Sequence, residues 1–124
     1  MDLTEVIISH AKWRQKFADF LEGRGELDLA TVEADDQCEY GRWLYGTGQE
    51  YKGRSEFAAV VEKHRRFHEV AGQAMRIAPT LPRDKVLNLV SLNSAFSNAS
   101  IEFVTALCFF RDGVEKAEAE ALQK

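Results

Sequence analysis

Only two prolines, Pro79 and Pro82, and two cysteines, Cys38 and Cys108, occur in the 124 residues of the chain. Two cysteines are too few for the disulfide framework of small secreted domains, and a reducing compartment keeps both as thiols. No run of roughly 18 apolar residues is present, which removes a membrane-spanning helix. Lys and Arg together number 16 against 20 Asp and Glu, a net charge of −4, and the basic residues are nowhere concentrated. Nucleic acids and anionic membranes both require a concentrated positive patch, so neither is an expected partner. The first ten residues place Asp2 and Glu5 ahead of a short apolar run and do not resemble a secretory signal, so a cytoplasmic protein is expected. There is no period-two strand pattern, internal repeat or low-complexity tract.

The composition that remains is that of one ordinary globular domain spanning residues 1–124, with 45% hydrophobic residues and charge spread along the chain. Leu3, Val6, Ile7, Trp13, Phe17, Phe20 and Leu21 recur at three-and-four spacing and predict one helix, with His10 on its apolar stripe. Asp2 with Glu5 resembles a capping box at its start, and Gly23-Arg24-Gly25 is a stop. Residues 26–36 read as an acidic connector with a turn of helix. Asp35 and Asp36 then cap a short helix that carries Cys38 in its first turn and ends at Gly46-Thr47-Gly48. Peptide N–H groups and the helix dipole at that position favour the thiolate, the metal-binding form.

Ser55 opens a longer helix whose stripe is Phe57, Val60, Val61, Phe67, Ala71, Ala74, Met75 and Ala78, and which ends before Pro79. His64 and His68 complete the stripe at i and i+4, so both imidazoles leave one face about 6 Å apart. Pro82 suits the first turn of a last helix, and neither Gly nor Pro interrupts residues 83–112. Its stripe of Leu89, Leu92, Phe96, Ala99, Phe103, Ala106 and Phe110 is flanked by a second, partly polar one, as expected of a helix covered on more than one side. The tail from Glu115 is a solvated helical end or a linker. These elements predict an all-α antiparallel four-helix bundle, with three long helices and one short helix carrying the cysteine.

A single histidine on an apolar face is more often a core residue than a ligand, and one cysteine alone is more often a small hydrophobe. The conjunction is different. His10, Cys38, His64 and His68 comprise every histidine and one thiol, all pointing toward the inferred core. Burying three imidazoles without partners costs several kcal/mol in lost solvation. Zinc accepts mixed thiolate and imidazole ligands tetrahedrally, and four protein ligands leave no open position for water. Such a site is structural or sensory rather than hydrolytic, so an enzyme is not expected. Asp35, Asp36 and Glu39 are nearby carboxylates that would balance its charge. Trp13 and Trp43 are expected to wall the site, Gly41 to permit close approach, and Cys108 to belong to the core.

Three segments, His10-Ala11-Lys12-Trp13, Cys38-Glu39-Tyr40-Gly41-Arg42-Trp43 and His64-Arg65-Arg66-Phe67-His68, closely resemble the pattern of the bacterial chemoreceptor zinc-binding domain. The resemblance runs from His10 to about Ala78, and the last helix matches only in character. It implies a cytosolic four-helix bundle holding one zinc ion per chain through His10, Cys38, His64 and His68. It also implies a regulatory role in chemotaxis or cyclic-di-GMP signalling, sensing zinc or oxidants such as hypochlorous acid through the cysteine. Homodimers, and an output domain of chemoreceptor or diguanylate cyclase type, are the implied partners. No such output region is attached here, so a stand-alone or an excised domain is expected. Two other readings stay open: a structural zinc in a dimerisation module, and a metal-dependent bundle enzyme. The ligand inventory weighs against the enzyme, because no histidine has a Glu three residues before it.

Overall fold

A computed structural model of the chain describes residues 2–123, among which there is no strand. Six α-helices follow one another as α1 (Leu3–Ala11), α2 (Trp13–Leu21), α3 (Leu29–Glu33), α4 (Glu39–Tyr45), α5 (Ser55–Ile77) and α6 (Ala95–Leu122), with 3-10 turns at Thr47–Tyr51, Ala78–Thr80 and Val86–Val90. The expected all-α bundle is what forms. Its long members are α5, α6 and the α1–α2 pair. Among the described residues no helix is long and apolar enough to cross a membrane.

The first expected helix is divided. At Lys12 (φ −77°, ψ −15°) the amide N–H is shared between the carbonyls of Ile8 and Ser9, and the Lys12 carbonyl accepts from both Gln15 and Lys16. That mixture of three- and four-residue bonds is a local 3-10 tightening, which bends the rod where His10 and Trp13 must both turn inward. Asp2 caps α1 as expected, its carboxylate accepting from the Thr4 and Glu5 amides.

α5 follows the predicted stripe closely, burying Phe57, Val60, His64, Phe67, His68, Ala71, Ala74 and Met75, and it ends ahead of Pro79. The last helix starts later than expected. Residues 83–94 are instead a 3-10 turn and a bend, in which Asn93 takes a positive φ of 70° and the Ser94 hydroxyl accepts from the Ser97 amide. A left-handed residue cannot continue a helix, and the serine cap that follows restarts one. Leu92 is therefore 79% exposed rather than part of a buried stripe. From Phe96 the predicted stripe is buried at Phe96, Ala99, Phe103 and Phe110, but Leu107 is buried where Ala106 was expected, and Ala106 is half-buried. The helix continues through Gly113 to Leu122, so the tail is helical.

Ring contacts fix the directions. Phe57 meets Phe110 and Phe67 meets Phe96, so α5 and α6 are antiparallel. His10 meets Phe103 and Phe17 meets Phe96, so α1–α2 is antiparallel to α6 and runs the same way as α5. α3 lies against α5, and a Cβ placed on Gly72 would come 2.6 Å from the Glu33 Cβ, which shows how closely the two helices approach. The ion pair between Arg76 and Glu33 closes the same contact at the surface.

Candidate metal centre

Three elements deliver the chemistry-bearing side chains to one level of the bundle, and a fourth adds a backbone group. α1 supplies His10 in its last turn. α4 supplies Cys38, which is its N-cap residue rather than a member of its first turn. α5 supplies His64 and His68, and α3 contributes a backbone carbonyl. His10, His64 and His68 are 4%, 0% and 1% exposed, and Cys38 is half-buried.

The ligand atoms of His10, Cys38 and His64 lie within 4.8 Å of one another, close enough to bind a single metal ion. His64 Nε2 is 3.3 Å from the Cys38 sulfur and 3.1 Å from His68 Nε2. A tetrahedral zinc, with Zn–N near 2.0 Å and Zn–S near 2.3 Å, sets its ligand atoms roughly 3.3–3.6 Å apart. His68 lies outside the set in which every pair is within 4.8 Å, and it joins the group through His64. Its Nδ1–H donates to the Val32 carbonyl of α3 at 2.7 Å, which fixes the tautomer and leaves the Nε2 lone pair directed at the cluster.

The cluster is poorly satisfied by protein groups alone. His10 Nδ1, His64 Nδ1 and the Tyr40 hydroxyl are buried with no hydrogen-bond partner. Phe103 lies 4.5 Å from the His10 ring and 5.1 Å from the His64 ring, centroid to centroid, and Phe67 stands 5.5 Å from His10. In this hydrocarbon surround, burial pushes His10 down to about 3 and His64 down to about 2, and the charge His68 would carry adds to both shifts. His68 is also lowered by burial, against the opposing effects of its bond to Val32 and of Asp35. All three imidazoles are therefore neutral at pH 7, with lone pairs available to a cation.

Cys38 behaves differently from the sequence expectation. Its sulfur accepts from the Gly41 amide at 3.2 Å, as a helix start predicts. Burial nevertheless outweighs the peptide N–H groups, and the thiol's pKa is raised rather than lowered. Desolvation of a half-buried thiolate costs more than one turn of peptide dipoles returns, so a cation is needed to hold the ionised form. The donor set of one thiol and neutral imidazoles, with lone pairs facing one another, fits a zinc ion.

Gly41 is required by a contact with a loop rather than with another helix, because a Cβ there would lie 1.8 Å from the Asp35 carbonyl oxygen. Asp35 does not cap α4; its carboxylate accepts from the Tyr45 hydroxyl. Of the two tryptophans expected to wall the site, Trp13 does so, edge-on to His68 at 6.2 Å. Trp43 stacks on Tyr40 at 5.6 Å and touches no histidine among the described contacts. The spacing of the sequence missed Tyr40 itself, whose ring lies 5.4 Å from His64, and the Val32 carbonyl. The available signal for Tyr40 was its position two residues beyond Cys38 in the same short segment.

Fold and donor set together define a helical bundle with a candidate metal site. The sequence profile described as the chemoreceptor zinc-binding domain matches residues 10–75, just over half of the chain and the whole span from His10 past His68. The chain belongs to the chemoreceptor zinc-binding domain family, whose members are zinc-binding signalling domains and not an enzyme family. No curated protein and no solved structure matches it at a significant level.

Proposed function

We propose that residues 1–124 act as one zinc-holding regulatory domain of bacterial signal transduction, in which His10, Cys38, His64 and His68 bind one zinc ion per chain. The observation that carries the reading is that ligand atoms of His10, Cys38 and His64 lie within 4.8 Å of one another, with His68 Nε2 3.1 Å from His64 Nε2. When bound, zinc supplies the positive charge that holds Cys38 as thiolate and ties α1, α4 and α5 together at one point.

Each residue has a distinct part. His68 is oriented by its bond to Val32, and so links the site to α3. Phe103 and Phe67 exclude water from the imidazoles. Cys38 is the one soft and oxidisable ligand. Hypochlorous acid transfers its oxygen to the thiolate sulfur, with chloride leaving, and the resulting sulfenic acid is a weaker ligand. Loss of that ligand frees α4 from α5, and α6, which packs on both α1 and α5, carries the change outward. The receiving partner is a chemoreceptor signalling region or a diguanylate cyclase domain in the cytoplasm, and the domain works as a homodimer.

Native mass spectrometry of purified protein, before and after hypochlorite titration, tests this reading. It predicts one zinc per chain, released in step with oxidation of Cys38. Zinc release without thiol modification would leave a plain zinc sensor, and a chain that never holds zinc would overturn the assignment.

A further inference from the structure

Beside the cluster, a groove of about 500 Å³ runs between the length of α1 and the start of α4 and is lined by both His10 and Cys38. Its rim bears three carboxylates, Asp2, Glu5 and Glu39, against one ammonium, Lys12. All four are exposed, and none takes part in an ion pair among the described residues. His10, 4% exposed and with its Nδ1 unpartnered, lies at the floor.

We infer that this groove is a charge-selective approach to Cys38, one that draws in cations and passes neutral small molecules while holding anions back. A cleft lined by one sign of charge over a low-dielectric floor concentrates counter-ions and depletes co-ions, changing encounter rates by about tenfold or more at low salt. Three carboxylates against one ammonium line the route to the sulfur, which itself lies 3.3 Å from His64 Nε2. The rim thereby favours metal loading and restricts attack on the thiol to uncharged reagents. The inference rests on the proposed metal site for its first consequence and is independent of it for its second.

The test uses the full chain in a Cys108→Ala background, comparing the triple variant Asp2→Asn, Glu5→Gln, Glu39→Gln with the parent. Asn retains the capping capacity of Asp2, and circular dichroism verifies that the helices persist. In zinc-free protein, Cys38 is titrated with neutral dipyridyl disulfide and with dianionic dithiobis(nitrobenzoate). In each reaction the thiolate displaces one aromatic thiolate from the disulfide, so the ratio of the two rates cancels any change in thiol ionisation. The parent should favour the neutral reagent, and the triple variant should lower that preference by about threefold to tenfold, an effect that fades at high salt.

Lys12→Glu should move the ratio the other way. Removing the same number of charges at Glu115, Glu118 and Glu120, on the exposed tail of α6, should leave it unchanged. In the second arm, stopped-flow capture of cobalt(II) should slow in the triple variant at unchanged final occupancy. An unchanged reagent ratio, or an equal change in the tail variant, would overturn the inference even if cobalt binds. Failure to bind cobalt with the reagent selectivity intact would instead refute the metal reading alone.

Discussion

Cys38 and Cys108 are both free and both half-buried, yet they occupy unlike surroundings. Cys38 is the N-cap of a short helix, accepts a peptide N–H and lies 3.3 Å from an imidazole nitrogen. Cys108 sits within α6 between buried Leu107 and Phe109, which is 68% exposed, and among the described residues it has no hydrogen-bond partner. Equal burial therefore does not make equal chemistry. What distinguishes the first thiol is that two helices, α1 and α5, bring imidazole nitrogens close to it within a core rich in phenylalanine rings.

The sharpest way to break the comparison is to remove each sulfur in turn. Cys38→Ala deletes a ligand and should lower zinc affinity beyond the roughly 10–100-fold that loss of a supporting hydrogen bond costs, as read by competition with a chromophoric chelator. An equal loss in Cys108→Ala would erase the distinction.

The next effect concerns the support beneath Cys38. Gly41→Ala drives a Cβ into the Asp35 carbonyl and displaces the amide that donates to the sulfur. Denaturant midpoints should report a destabilisation of about 3 kcal/mol, because the obstacle is backbone and cannot rotate away. A fall in zinc affinity should accompany it.

Acid should expose the imidazoles that set Cys38 apart. His10 and His64 have folded pKa values of about 3 and about 2, below the ordinary 6.5, and His68 is lowered too. The unfolded chain therefore binds more protons than the folded one between those values. Stability of the zinc-free protein should be level above roughly pH 6.5 and fall steadily as the pH drops below it. The same protonation competes with metal, so zinc should leave over the same window. A flat stability profile from pH 7 to 4 in the metal-free protein would show that the imidazoles are not buried. Smallest of all should be Cys108→Ala itself, which should cost less than about 1.5 kcal/mol and leave zinc affinity unaltered.

Much of this was legible from residue spacing, because α5 is bounded by Ser55 and Pro79 and carries an unbroken stripe that includes both histidines. The grouping of His10 and Cys38 with His64 followed from the same logic of apolar faces. The start of α6 was misread because Pro82 satisfies the rule for a first helical turn, whereas the chain turns at Asn93 and is recapped by Ser94. Nothing in the composition around Lys12 announces the bend, which shows only in the mixed three- and four-residue hydrogen bonds there. The thiol's raised pKa depends on how deeply α4 is pressed into the bundle, and the His68 tautomer on where α3 docks. Both are tertiary facts with no local signature.

The central claim is that one metal ion sits among His10, Cys38, His64 and His68. Electronic absorption of the protein titrated with cobalt(II) tests it most directly. The account predicts saturation at one equivalent per chain, with the intense visible bands of tetrahedral cobalt and a sulfur-to-cobalt charge-transfer band that vanishes in Cys38→Ala and survives in Cys108→Ala. Weak octahedral bands without sulfur charge transfer, or a charge-transfer band that persists without Cys38, would contradict it.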